Sequence, residues 1–137
     1  MSRSGYNDEG DNWETICYRG AVASALRGKR GQAFLKELIT ALDALPEKCL
    51  VAHELEKDGS YCALGAVGKE RGLHLGEVDP ENIERVARLF GIADAMAREI
   101  VWMNDEAAFS KKTPETPEAR WGRMRAWAIS NLREKEK

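Results

Sequence analysis

No apolar run in this chain is longer than a few residues, whereas a helix needs about 20 to cross a bilayer, which excludes a membrane-spanning helix. Charge of one sign is missing too. The 21 basic residues face 23 acidic ones, for a formal net charge of −2. A global basic field that would hold nucleic acid by itself is therefore excluded, and any such binding would need a local patch. Cysteine is scarce and odd in number, with Cys17, Cys49 and Cys62 alone. The residues from Met1 to Asn12 are polar, without the apolar segment of a secretory signal. Three reduced thiols in a cytoplasmic protein are the expectation.

Motifs that specify a reaction are also lacking. The glycines and cations at 27–31 do not have the spacing of a Walker loop, and no nucleophile elbow accompanies any Ser or Cys. Cys49, His53, Cys62 and His74 are the residues that could build a Cys₂His₂ metal site, but the short Cys-x₂-Cys knuckle is missing. No metal, cofactor or catalytic constellation is expected.

What is present is a run of helical signals in 137 residues, the size of one domain. Residues 1–10 read as a loose leader, rich in Gly and Ser, and 11–137 as one globular helical domain. A helix is expected over 12–27, capped by Asp11 or Asn12, with an apolar face of Trp13, Ile16, Cys17, Ala21, Val22, Ala25 and Leu26. Gly20 within it suggests a close approach by another helix. Phe34, Leu35, Leu38, Ile39, Leu42 and Leu45 follow the 3.6-residue period of a second helix, which Pro46 ends. Asp58-Gly59 between apolar segments suggests a small hairpin, although the arm Cys49–Leu55 could equally be a short helix. Small residues from Ala63 suit a tightly packed helix ending at Gly72. Asp79-Pro80-Glu81 opens a helix closed by Gly91, and Ile92 leads into another that stops at Asn104-Asp105. Residues 107–117 read as a polar loop, and Thr116-Pro117-Glu118 opens the last helix, over 117–133. The fold class is mainly α, a compact bundle of about five helices with at most one small hairpin. Leu38, Leu42, Ile83, Phe90, Ile100 and Trp121 are expected in one core.

Two basic segments stand out. Arg27, Lys29 and Arg30 alternate with Gly28 and Gly31 where one helix ends and the next begins. A helix C-terminus needs one cation at most, so three cations beside two glycines point to an anionic partner. Arg120, Arg123 and Arg125 interleave with Trp121 and Trp127 in the last helix, a pattern that can grip phosphate and stack bases. A helix-turn-helix over 84–100 is disfavoured because its second helix would offer Asp94, Arg98 and Glu99 to DNA, a poor face for a phosphate-rich groove. The pair Asn104-Asp105 reads as a helix stop.

The stretches Asp11–Trp13, Arg19–Ala25, Arg27–Gln32, Cys62–Val67 and Asn104-Asp105 resemble small uncharacterised proteins of tailed phages and proteobacterial prophages. A fainter similarity joins Cys62–Val67 and Asn104-Asp105 to a bacterial family with a comparable hairpin and terminal helix. Neither group carries an established activity. The resemblance implies a phage accessory protein in the cytoplasm of a bacterial host, acting by binding a host protein complex. An inhibitor of a defence system, such as an anti-CRISPR, is the leading expectation. The alternative is a nucleic-acid or nucleotide-binding module using the arginine-rich surfaces, and a small enzyme ranks third. Arg27, Lys29, Arg30, Arg120, Arg123 and Arg125 are the expected contact residues.

Overall fold

The computed structural model describes residues 13–106 and 115–133, with side chains from residue 18 onward. The leader at 1–10, most of the polar loop and the tail from 134 lie outside the described residues. Six helices run in the order α1 (Trp13–Arg27), α2 (Lys29–Ala44), α3 (Ala63–Arg71), α4 (Ile83–Phe90), α5 (Asp94–Asp105) and α6 (Pro117–Ser130). Two short strands, β1 (Glu56–Lys57) and β2 (Ser60–Tyr61), form one antiparallel hairpin between α2 and α3, and a 3₁₀ turn spans Leu75–Glu77. No helix of the described residues is long and apolar enough to cross a membrane.

Local chemistry explains most of the boundaries. Leu45, which precedes proline, is extended at φ −62°, ψ 132°, because the proline ring disfavours helical backbone in the residue before it. Cys62 Sγ accepts from Gly65 N at 3.3 Å and opens α3. Gly72 and Gly91, at φ 73° and 71°, close α3 and α4 in the left-handed conformation that glycine adopts without penalty. Thr116 Oγ1 accepts from Ala119 N at 3.1 Å, with Pro117 at the first helical position of α6. The hairpin turns on Asp58 and Gly59, both at positive φ (51° and 80°), as a two-residue turn of matching twist requires.

The structure corrects several expectations. Asp79 does not cap α4: its carboxylate accepts from Glu81 N at 3.0 Å in a local turn, and Asn82 caps the helix three residues later. Cys49–Leu55 is neither a strand nor a helix. It is held by backbone bonds from Leu50 N to Pro117 O at 3.0 Å, Val51 N to Tyr61 O at 2.9 Å and Cys62 N to Leu55 O at 3.2 Å. The helix expected from Ala63 is present as α3 and ends at Gly72, in a mainly helical bundle with one small hairpin, as expected. Gly20 has nothing near the position of a side chain, and Ala21 is exposed. The close approach is at Gly31, where a Cβ would stand 1.9 Å from Ala25 O.

The core gathers around α2, which packs against α1, α3 and α6. Leu35, Leu38 and Leu42 are fully buried, and Ile83, Phe90 and Ile100 join them from α4 and α5. Trp121 packs against this core while half-buried, because its indole N–H donates to Leu42 O at 2.9 Å at the edge of α2.

Candidate functional site

The junction between α1 and α2 is a single residue. Gly28 N donates to Ser24 O at 3.0 Å, closing α1, and Gly28 O accepts from Gln32 N at 2.9 Å, opening α2. Lys29 and Arg30 therefore stand in the first turn of α2 rather than in a loop. Gln32 reaches back to occupy what the turn leaves open. Its Nε2 donates to Leu26 O at 2.6 Å and to Asn131 O at 2.9 Å, while its Oε1 accepts from Arg133 N at 2.8 Å. One glutamine thus ties the junction to the end of α6, and Gly31 lets the two helices touch.

Arg27, Lys29 and Arg30 are all exposed. Among the described residues none of them has an ion-pair or hydrogen-bond partner for its side chain. Their turn borders a half-open groove of about 210 Å³ lined by Ser24, Ala25, Gly28, Lys29, Arg30 and Gly31 on one side. Ile92, Ala93 and Met96, from the start of α5, form the other. Neither Gly28 nor Ala93, the residues that precede α2 and α5, caps its helix with a side chain.

The second arginine cluster is placed differently. Arg120 donates to Asn104 O and Leu50 O, both at 3.0 Å. Arg123 grips Glu115 through two bonds of 2.7 and 2.9 Å, and donates as well to Met103 O and Asn104 O. Glu115 is buried beneath both guanidiniums. These two arginines close the open carbonyl end of α5, so their charge is consumed internally. Arg125 forms a two-bond pair with Asp43 at 2.7 and 2.9 Å. Asp43 lies about 20 Å along α2 from Lys29, at about 1.5 Å per residue. The six arginines and lysines read together in the sequence are therefore not one site: three are open at one end of α2, and three serve the fold at the other.

The Arg125 hydrogen bonds hold the Asp43 carboxyl below its ordinary value of 3.8, against the opposing effect of partial burial, and Lys48 adds to the lowering. Arg71 does the same to Glu37, whose ordinary value is 4.5. A carboxylate whose folded value is depressed contributes stability that is present above its unfolded value and lost as pH falls through the folded one. The protein is therefore expected to lose stability as pH falls below about 5, modestly, since both pairs are partly exposed. Urea denaturation of Glu37→Gln/Asp43→Asn checks this: the double variant should be weaker near neutrality and flatter across that range.

Asn104 does more than end α5. It is 1% exposed, and its Oδ1 accepts from Ala63 N at 3.1 Å, the first amide of α3. Its Nδ2 donates to Val51 O at 2.9 Å and to Asp105 Oδ1 at 2.7 Å. Asp105 in turn receives His53 N at 3.0 Å, with His53 Nδ1 3.7 Å from Oδ2. This holds His53 in the left-handed region at φ 71°, with its ring exposed. The signal for this node was available as a polar pair at the foot of an apolar helix, but a helix stop explains such a pair equally well without tertiary information.

Among the described residues, Cys49, His53, Cys62 and His74 do not converge on a common site. Cys62 is buried at the start of α3, and Cys49 lies half-buried beside Glu47. Burial pushes the Cys49 thiol up, and Glu47 and Glu118 add to it, the opposite of an activated nucleophile. Among the described residues no three of His, Cys, Asp or Glu are grouped to hold a metal ion. No protein-family model matches the chain, and neither a curated protein nor a solved structure shows significant similarity to it.

Proposed function

We propose that this chain is an accessory binding protein that docks on a host protein complex through the α1–α2 junction, in the manner of a phage inhibitor of a defence system. The observation that carries the binding surface is the turn itself: Arg27, Lys29 and Arg30 stand exposed on one helix junction, without a side-chain partner among the described residues. By contrast, Arg123 and Arg125 of α6 are paired with Glu115 and Asp43, and Arg71 of α3 with Glu37. The phage setting and the choice of a defence target rest on the sequence resemblance. Nucleic-acid binding ranks behind this reading, because consumption of Arg120, Arg123 and Arg125 by the fold leaves a patch of three cations. Duplex readers commonly neutralise about 6–10 phosphates.

Capture of host proteins by tagged protein, with and without nuclease, tests the reading against Lys29→Glu/Arg30→Glu. The double reversal is expected to abolish capture. Acidic residues in the first turn favour a helix, so the melting temperature should hold or rise slightly. Capture that survives the reversal at physiological salt would make the turn a mere connector. Capture that disappears with nuclease would favour the nucleic-acid reading instead.

A further inference from the structure

We draw no further inference here: the strongest candidate, the exposed His53 side chain in the loop between α2 and β1, held at positive φ against the Asp105 carboxylate at the end of α5, carries nothing further, because its contacts with Asp105 account for its placement and nothing in the structure shows what its outer face would meet.

Discussion

Asn104→Ala is expected to destabilise the protein by about 3–5 kcal/mol, since each buried polar group left without a partner costs about 1–3 kcal/mol. The substitution strands Ala63 N and Val51 O, which meet Asn104 at 3.1 and 2.9 Å. It also removes the 2.7 Å donor to the buried carboxylate of Asp105. Three segments separated in sequence, the end of α5, the loop at 51–53 and the start of α3, converge on this amide, so the loss should be cooperative. Asn104→Asp sharpens the test. It retains the shape but replaces the donating amide with a second carboxylate beside Asp105, and should be at least as damaging. Urea denaturation measures both. A midpoint within error of the parent's, at unchanged slope, would show that water replaces the amide without cost.

Leu38→Ala should cost a comparable amount, about 3–5 kcal/mol, near the upper part of the range for emptying a leucine site. Leu38 is 0% exposed, in the middle of the helix that α1, α3 and α6 all pack against. Neighbours on several helices cannot collapse together into the void, so the cavity is expected to persist and add to the lost transfer energy. Ile39→Ala is the internal control: its side chain is half-buried at the margin of the core, so its loss should fall well below that of Leu38. Equal losses at the two positions would mean that α2 does not occupy the centre of the molecule in solution.

The contrast between the α1–α2 turn and the α6 arginines bears on how charge clusters are read. In sequence both are three cations within a few residues, one at a helix junction and one within the last helix. The difference lies in what the chain brings to them from far away. Asp43 stands 82 positions from Arg125, and Asn104 and Leu50 offer Arg120 their carbonyls from 16 and 70 positions away. Among the described residues nothing comparable arrives at Arg27, Lys29 and Arg30, which is why this cluster, unlike the one on α6, keeps its charge toward solvent.

Periodicity, capping residues and glycine positions decided the helices, their order and most of their ends from the sequence alone, because each depends on interactions within a few residues. The stripe of α2, the Thr116-Pro117 start of α6, the Asp58-Gly59 reversal and the Gly72 and Gly91 stops are all of this kind. The tertiary structure alone decided which glycine admits a neighbouring helix, that Asn104 joins three segments, and which arginines remain open. Each of those outcomes is set by partners that meet only when distant segments pack, and no local pattern encodes the identity of a residue 80 positions away.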